Sequence, residues 1–348
     1  MKITEIRVRA VHVNHRGNWV FVQVSTDAGL VGCGEASHST DDRMLTAVLA
    51  GARSRLIGRE ISEIESLFVE MARPNAGMIV WTAFSAVEQA SWDIAGQAAG
   101  VPVYQLLGGR CVPRIRLYAN VNRAAANRDP LAYAERARQA VEEGFRAVKC
   151  APFDDVSWKT LDDPEGRRAY DRGLERVRRI RDAIGDDVAL SVDCHNRFDV
   201  PTARRVARDL EPLGLYWLEA PVPPWDPAGL ARVRAGLTTR LVAGEELLGR
   251  SAYLGLLESR ALDVVMFDVK HTGGLLESKK IAALAEAHLC TTLPNFLITE
   301  YAWGEVRWRN DLVGSAEEIR DGYLLVPEKH GPGLSLEDRV LAEHAVEL

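Results

Sequence analysis

The sequence predicts an α/β fold in which parallel strands and helices form a barrel beside a smaller α+β unit. From Arg114 onwards, short apolar segments alternate with longer amphipathic ones, which is typical of repeated βα units. Three of the apolar segments end in an acidic residue, Asp193, Glu219 and Glu245, at a constant interval of 26 residues. One strand plus one helix occupies about that length, so the interval indicates three consecutive strands with a carboxylate at each carboxyl end.

Length and composition restrict the class of protein. At 348 residues the chain exceeds the usual size of one domain, so a large barrel with a smaller domain is expected. With 47% hydrophobic residues, 26% charged residues and a net charge of −6, it has the composition of a soluble globular protein and no electrostatic reason to bind nucleic acid. We expect a cytoplasmic protein, because no segment could span a membrane and the N-terminus alternates polar and apolar residues. The five scattered cysteines lack CxxC spacing, which favours reduced thiols.

The N-terminal part is predicted to be the α+β unit. Ile3 to Val13 and Trp19 to Ser25 alternate like strands, and Asp27 to Gly29 form a turn. Helical spacing of apolar residues follows from about Asp41 to Leu56 and from Trp81 to Ala99.

Eight strands are predicted in the barrel, the number that closure requires. They are Arg116 to Val121, Ala147 to Lys149, Val188 to Asp193, Leu215 to Glu219, Leu241 to Glu245, Val264 to Asp268, Leu289 to Leu293 and Val306 to Trp308. The connection from Leu293 to Val306 is too short for a helix with two loops, so the seventh crossover is expected to be truncated or irregular. The tail after about Gly322 has no barrel strand left to supply and is expected to pack on the N-terminal unit.

The three periodic acids predict a metal site. The carboxyl ends of the strands form the active-site face of a βα barrel. Three oxygen ligands from adjacent strands, without Cys or His at the same spacing, suit Mg²⁺ better than Zn²⁺. The sequence therefore indicates a Mg²⁺-dependent enzyme.

Several motifs follow one another along nearly the whole chain. They are AVEQASWDIAGQAAGVPVYQLLGG (86–109), GFRAVK (144–149), VDCHNR, LEAP and AGEE around the three acids, FDVKHTGG (267–274) and IRDGYLLVP near the end. In this order the sequence resembles the enolase superfamily, and within it the mandelate racemase-like acid-sugar dehydratases. The resemblance implies a TIM-like (β/α)7β barrel (111–321), an α+β capping domain (1–110) and a C-terminal segment (322–348) that packs back on that domain. Loops near His12 to Trp19 and Ala36 to Arg43 would cover the substrate.

The resemblance also implies an activity. It places Asp193, Glu219 and Glu245 at the positions of the family's three Mg²⁺ ligands. The expected enzyme is a carbon–oxygen lyase, a dehydratase acting on a sugar acid or related hydroxycarboxylate through removal of the α-proton and an enediolate intermediate. A divalent cation stabilises such an intermediate far better than water does. A small-molecule carboxylate is the expected partner, and a homo-oligomer is the expected assembly.

Two further residues are predicted to take part in the reaction. His195 follows Asp193 by two residues, so a strand that continued past Asp193 would direct both side chains to the same side. Its Asp-x-His arrangement is similar to that of the galactonate dehydratase-like branch, which implies a general acid that helps the hydroxyl group leave. Lys149 closes the second barrel strand, and its cation is expected to bind the substrate carboxylate or to stabilise the enediolate.

The usual bases of the family are missing. Racemase-type relatives carry a base lysine two residues after the position of Lys149, where this chain has Ala151. Related enzymes pair the aspartate equivalent to Asp268 with a histidine at the end of the seventh strand, but Asn295, or Pro294, occupies that position here. Asn cannot take a proton at neutral pH. The candidates for the base are therefore Lys149, His195 in a dual role, Asp268, Glu300 or Tyr301.

The remaining predictions concern binding and alternative functions. Asn295, Glu300 and Lys149 are predicted to contact the substrate, whereas Lys270 and His271 are predicted to be loop residues before the glycine pair. An epimerase or racemase of the same superfamily is the alternative activity. A noncatalytic relative that keeps metal and ligand binding is the alternative of another class, because both usual bases are absent.

Overall fold

The computed structural model describes residues 1–37, 41–71, 73, 75–123, 127–284, 296–314, 317–331 and 336–348. The predicted seventh strand, Leu289 to Leu293, and the predicted substrate contact Asn295 lie outside these residues. Within the described part, no helix combines the length and the apolar character that crossing a bilayer would require.

The N-terminal unit consists of an antiparallel sheet covered by helices. The sheet has the order β1-β2-β3. Its elements are β1 (Ile3–Asn14), β2 (Gly17–Thr26), β3 (Val31–Glu35), α1 (Asp42–Leu56), α2 (Ile64–Met71), α3 (Met78–Ala99) and α4 (Val103–Leu106).

Strand β3 lies directly on the backbone of α3. A Cβ atom on Gly32 would come within 2.1 Å of the Ala90 carbonyl oxygen, and one on Gly34 within 2.0 Å of the Ala86 oxygen. Only glycine fits at either position, since real Cβ atoms do not approach backbone so closely. This packing fixes the end of β3, where Glu35 faces the cavity described below.

The second part of the chain alternates strands and helices. Its elements are β4 (Arg114–Asn120), α5 (Pro130–Glu142), β5 (Ala147–Cys150), α6 (Pro164–Ile184), β6 (Ala189–Asp193), α7 (Val200–Leu210), β7 (Trp217–Glu219), α8 (Pro227–Arg234), β8 (Arg240–Ala243), α9 (Gly249–Glu258), β9 (Val264–Val265), α10 (Val269–Thr272), α11 (Gly274–Leu284) and β10 (Thr299–Tyr301). Several helices begin at an Asp side chain with a proline in the first turn. Asp129 accepts from the Leu131 N–H and Asp226 from the Gly229 N–H, so the local sequence sets where these helices start.

The strands form a parallel sheet in chain order from β4 to β9, and β10 pairs in parallel with the other edge of β4. This parallel sheet with its helices confirms the predicted α/β class and is consistent with a TIM-like barrel. Among the described residues, β9 and β10 are not hydrogen-bonded to each other.

The predicted eighth strand, Val306 to Trp308, is wrong. Those residues form turns, and the strand beside β4 is Thr299–Tyr301, with Glu300 opposite Tyr118. The misplacement arose because a short apolar run does not reveal which segment finds a pairing partner. Because the observed strand begins at Thr299 and not at Val306, the connection that was predicted to begin at Leu293 has even fewer residues than expected.

Alternate side chains of these strands face two apolar clusters. Val148, Leu190 and Leu241 pack towards the helices in the large core. Tyr118, Trp217 and Val242 pack together in a second cluster, where the Tyr118 and Trp217 rings meet edge to face with centroids 5.4 Å apart. The Trp217 indole N–H donates to Glu219 Oε2 at 2.9 Å, so a residue of this second cluster holds the Glu219 carboxylate in place.

The end of the chain joins both parts. It contains α12 (Arg309–Leu312), β11 (Ile319–Arg320), β12 (Tyr323–Leu325) and α13 (Asp338–Glu343). Strand β12 pairs antiparallel with β4, so the described residues of the tail supply none of the parallel barrel strands, as expected, but they do extend the sheet. Beyond α13, the His12 N–H donates to the His344 carbonyl at 2.9 Å and the Val346 N–H to the Ala10 carbonyl at 3.0 Å.

Candidate active site

The structure brings the three periodic acids together. Asp193 and Glu219 end neighbouring strands and lie opposite each other in the β6–β7 register, and Glu245 follows the end of β8 by two residues. One carboxylate oxygen from each lies within 4.8 Å of the other two. Asp193 and Glu219 are only 2% and 1% exposed, so these two carboxylates are shielded from bulk water.

Electrostatic repulsion within the carboxylate cluster is large. Burial, together with the nearby Asp193 and Glu245 carboxylates, raises the pKa of Glu219 well above its ordinary value. Burial also raises the pKa of Glu245 to about 7. For Asp193 burial acts in the same direction, but Lys149 and His195 overcome it and the pKa falls below its ordinary value. Three buried carboxylates in this state favour a cation between them.

Lys149 supplies one positive charge to the cluster. Its ammonium group is 2% exposed and donates to Glu219 Oε1 at 2.7 Å. The same nitrogen lies 3.4 Å from Asp193 Oδ2 and 3.0 Å from Glu300 Oε2. Burial alone would lower the pKa of Lys149, but the surrounding carboxylates raise it well above its ordinary value. The lysine is therefore a cation at neutral pH.

His195 lies beside the cluster, but not for the predicted reason. Strand β6 ends at Asp193, and His195 adopts a left-handed backbone conformation with φ 46°. Its Nε2 lies 3.1 Å from Asp193 Oδ2 and its Nδ1 lies 2.6 Å from Asp154 Oδ1. Burial opposes protonation, but hydrogen bonds with Asp154 and Asp193 raise the pKa of His195 to about 10. A turn, and not a continuing strand, brings the ring to Asp193.

Glu300 reaches the cluster from β10. Besides Lys149, it accepts hydrogen bonds from Arg123 at 2.7 Å, Asn120 at 3.1 Å and Tyr118 at 3.2 Å. Burial raises its pKa, but Lys149 and Arg123 outweigh this effect and lower it well below the ordinary value.

Tyr301, the next residue, points the other way. Its ring stacks on Phe145 with centroids 5.8 Å apart and packs against the large core. Alternation along a strand explains why Glu300 joins the site while Tyr301 does not. Tyr301 is therefore a poor candidate for the base.

Asp268 begins the short helix α10. Its Oδ1 accepts the Lys270 N–H at 2.9 Å, and its Oδ2 lies 3.2 Å from Lys270 Nζ. Burial opposes ionisation, yet Lys270 and His271 lower the pKa of Asp268 to about 2. The predicted loop at Lys270 and His271 is in fact this helix, with His271 Nδ1 2.8 Å from the Thr82 hydroxyl of α3. The histidine position expected opposite Asp268 was assigned to Asn295, outside the described residues.

A cavity of about 770 Å³ lies between the N-terminal unit and the barrel strands. Its wall includes Glu245 of the carboxylate cluster and the neighbouring Glu300. Both predicted covering segments contribute to its wall, which carries cationic as well as anionic side chains. Its lining includes Arg16, Trp19, Glu35, Ser37, Arg123, Asp268, Lys270, Glu305 and Arg309.

Two residues of this region were not singled out from the sequence. Arg123 follows β4 by three residues and binds Glu300, and Asp154 follows β5 by four residues and binds His195. Both lie just past the carboxyl end of a barrel strand, which is where such loops place functional groups. That position could have identified Arg123 and Asp154 as candidate functional residues. Polar loop residues are common, however, and the sequence does not show which partners they contact.

Comparison with known proteins gives matches over nearly the whole chain. The family model described as the N-terminal domain of mandelate racemase / muconate lactonizing enzyme matches residues 3–108, and the model described as enolase C-terminal domain-like matches 132–340.

Three proteins illustrate the similarity. The D-xylonate dehydratase of Haloferax volcanii is 32% identical over 99% of this chain and 89% of its own length. The D-galactonate dehydratase of Variovorax paradoxus is 33% identical over 83% of this chain and 73% of its own length. A mandelate racemase/muconate lactonizing enzyme from a Jannaschia species superimposes with a TM-score of 0.87 at 28% identity, covering 100% of this chain and 98% of that chain.

Proposed function

We propose that this protein removes water from a sugar acid with Mg²⁺ as cofactor, because the chain belongs to the mandelate racemase and muconate lactonizing enzyme family of the enolase superfamily. Within that family it is a hydro-lyase of the dehydratase type. The buried cluster of Asp193, Glu219 and Glu245 at the end of the cavity carries this proposal. The named relatives act on D-xylonate and D-galactonate, so an aldonic acid is the proposed substrate class.

The carboxylate cluster fits a hard divalent cation. Its three oxygen atoms converge from neighbouring strands, and the raised pKa values of Glu219 and Glu245 reflect first their burial and then the repulsion of neighbouring carboxylates, both of which a bound cation would offset. Asp193, Glu219 and Glu245 would hold Mg²⁺, which prefers carboxylate oxygen and keeps open positions for other oxygen ligands. When bound there, Mg²⁺ would supply positive charge for the substrate carboxylate and for the enediolate formed from it.

Lys149 provides the second cation of the site. Its buried ammonium group lies between Glu219 and Glu300, and a substrate carboxylate placed beside it would share its charge. The same charge stabilises the enediolate, in which negative charge moves onto the carboxylate oxygens as the α-proton leaves. Arg123 holds Glu300 from the cavity side, so the position of Lys149 is supported by a second ion pair.

His195 acts as the general acid in this proposal. Removal of the C2 proton leaves an electron pair that forms the carbon–carbon double bond of the enol as the C3–O bond breaks. Nε2 of His195 gives its proton to the departing hydroxyl group, which leaves as water, and the enol becomes a 2-keto-3-deoxy acid. Lys149 and His195 are both protonated at neutral pH, so the ionised carboxylates of Asp268 and Glu300 remain the candidates for the base.

The proposal is tested by incubating the protein with Mg²⁺ and a panel of aldonic acids in D₂O. NMR then reports deuterium at C2 and any keto acid formed. We expect keto acid from at least one acid, loss of the reaction with a chelator and recovery with Mg²⁺. Exchange with inversion at C2 and no keto acid would instead identify the protein as an epimerase. The absence of exchange with every acid in the panel would overturn the proposed dehydratase activity.

A variant tests the assignment of the acid. His195→Asn should keep the fold and the divalent-ion affinity and lose most of the keto-acid formation, since its side chain cannot donate the required proton. An unchanged kcat with the best substrate would remove His195 from the mechanism.

A further inference from the structure

Asp154 lies against the ring of His195 on the side away from the carboxylate cluster. We propose that Asp154 is a positioning residue that fixes the ring orientation and the tautomer of His195, so that Nε2 faces the site where the hydroxyl group leaves. This inference rests on the proposed function, in which His195 is the general acid. Asp154 itself need not touch the substrate in this role.

The His195 ring is held at both nitrogen atoms. Nδ1 lies 2.6 Å from Asp154 Oδ1, and Nε2 lies 3.1 Å from Asp193 Oδ2. The backbone contributes as well, because the His195 N–H donates to Asp193 Oδ1 at 2.9 Å within the left-handed turn. The ring therefore spans the distance between the segment after β5 and the end of β6.

The contact with Asp154 determines which nitrogen carries a proton when the ring is neutral. Ionised carboxylates can only accept hydrogen bonds, so both ring nitrogens donate while the ring is protonated, and the shorter contact of 2.6 Å to Asp154, against 3.1 Å to Asp193, keeps the proton on Nδ1 when the ring gives one up. Nε2 is then the nitrogen that gives up and regains a proton on the side of the carboxylate cluster. Without the Asp154 acceptor the ring could rotate or adopt the other tautomer, which would turn the acidic proton away from the leaving group.

The acceptor is itself fixed in place. Arg128 Nη1 lies 3.2 Å from Asp154 Oδ2, and Arg197 Nε lies 3.4 Å from Asp154 Oδ1. Arg128 also donates to the Ala151 carbonyl at 3.0 Å, which ties the segment after β5 to the loop after β4. Burial raises the pKa of Asp154, but His195 and the two arginines outweigh it and lower the pKa below the ordinary value. The carboxylate is thus ionised and oriented.

The neighbouring Asp155 offers a matched control. It belongs to the same segment and is also an ionised carboxylate, but its partner is the buried Arg176 at 2.7 Å and not a catalytic group. Asp155→Asn disturbs an ion pair of this segment without removing a contact of His195. Any effect of the segment's stability alone should therefore appear in both variants.

The kinetic test compares Asp154→Ala, Asp154→Asn and Asp155→Asn in the Mg²⁺-loaded protein. Keto-acid formation and deuterium exchange at C2 are measured on the same substrate. We expect the Asp154 variants to lose keto-acid formation by about 10- to 100-fold while exchange and divalent-ion affinity are retained. With a 3-deoxy-3-fluoro analogue of the substrate, the Asp154 variants should lose less of their keto-acid formation, because fluoride leaves without full proton transfer. Asp155→Asn should keep the wild-type ratio of elimination to exchange.

The tautomer is measured without turnover. Long-range ¹H–¹⁵N spectra of histidine-labelled protein are recorded through the titration of the ring, with His195 assigned from the signal missing in His195→Asn, and Nδ1 should carry the one proton of the neutral ring in the wild type. It should lose that proton in Asp154→Ala, because only Asp193 at Nε2 then selects the tautomer. An unchanged Nδ1 signal, or an unchanged ratio of elimination to exchange, overturns the role of Asp154. If the wild type forms no product at all, the proposed function fails. The spectra then test by themselves whether Asp154 fixes the tautomer of His195.

Discussion

The ammonium group of Lys149 donates a 2.7 Å hydrogen bond to Glu219 Oε1, and both side chains are almost completely buried. Removing one partner of such a buried ion pair destabilises the folded protein, because the remaining charge is then buried without water and without a counter-charge. Here the pair also connects the predicted metal ligands with Glu300. Lys149 is therefore the cation that the two groups share in the charge balance of the site.

Replacing Lys149 with Met should destabilise the protein when no divalent ion is bound. The carboxylate cluster then keeps only the His195 ring at Asp193, and Glu219 loses its cation, so the expected loss is about 3–5 kcal/mol in the free energy of unfolding. Urea unfolding with a chelator measures this loss, and added Mg²⁺ should recover part of it. Lys329→Met, at an exposed position, is the control and should change stability little. Equal stability of Lys149→Met and the wild type would contradict the charge balance described above.

Glu219→Gln should weaken divalent-ion binding. Glu219 lies at the centre of the carboxylate cluster, and its loss removes a ligand as well as the main partner of Lys149. We expect a fall in Mg²⁺ affinity of more than about 100-fold, beyond the effect usual for a residue that only supports a ligand. Isothermal titration calorimetry measures the affinity directly. The exposed Glu258→Gln is the control, and an affinity retained in Glu219→Gln would place the ion elsewhere.

Glu300→Gln and Tyr301→Phe form a matched pair on one strand. Glu300 faces Lys149 and Arg123, whereas Tyr301 stacks on Phe145 in the core. We expect Glu300→Gln to lower kcat/KM by about 100-fold, the lower end for loss of a general base, because Gln can neither take a proton nor balance the charges of Lys149 and Arg123. Tyr301→Phe should keep kcat/KM, which steady-state assays on the best acid will show. A larger loss in Tyr301→Phe would mean that Tyr301, and not Glu300, acts in the reaction.

Glu88 should make stability depend on pH. This buried residue of α3 accepts the Leu275 and Leu276 N–H groups at 2.8 and 2.9 Å, and burial raises its pKa to about 7. Because the folded pKa lies above the unfolded value of 4.5, the folded state binds the proton more tightly. The resulting stability is present below pH 4.5 and is lost as the pH rises to about 7.

Urea unfolding of the wild type and of Glu88→Gln at several pH values checks this prediction. Gln does not titrate, so the difference between the two proteins isolates Glu88. We expect the wild type to lose roughly 3 kcal/mol relative to Glu88→Gln between pH 4.5 and 7. A difference that stays constant over this range would show that Glu88 has an ordinary pKa in the folded protein.

The sequence predicted those parts of the fold that follow from local patterns. The strands that end at Asp193 and Glu219 were predicted to within two residues at their ends, because both have a buried apolar run with a clear stop. The strand at Val306 to Trp308 was wrong because the choice of Thr299–Tyr301 depends on pairing with β4, a partner about 180 residues away in the chain. His195 was predicted near Asp193, but through a continuing strand where the structure has a left-handed turn.

The meeting point of the three carboxylates follows from the sequence alone, because a repeat of one strand and one helix brings each strand end to the same edge of a parallel sheet. The groups that balance the charge of these carboxylates are known only from the folded structure. Lys149 lies among them, Arg123 holds Glu300, and Asp154 holds His195, and each of these contacts joins segments that are distant in the chain. Such contacts depend on distance and orientation between side chains, and no periodicity along the sequence records either.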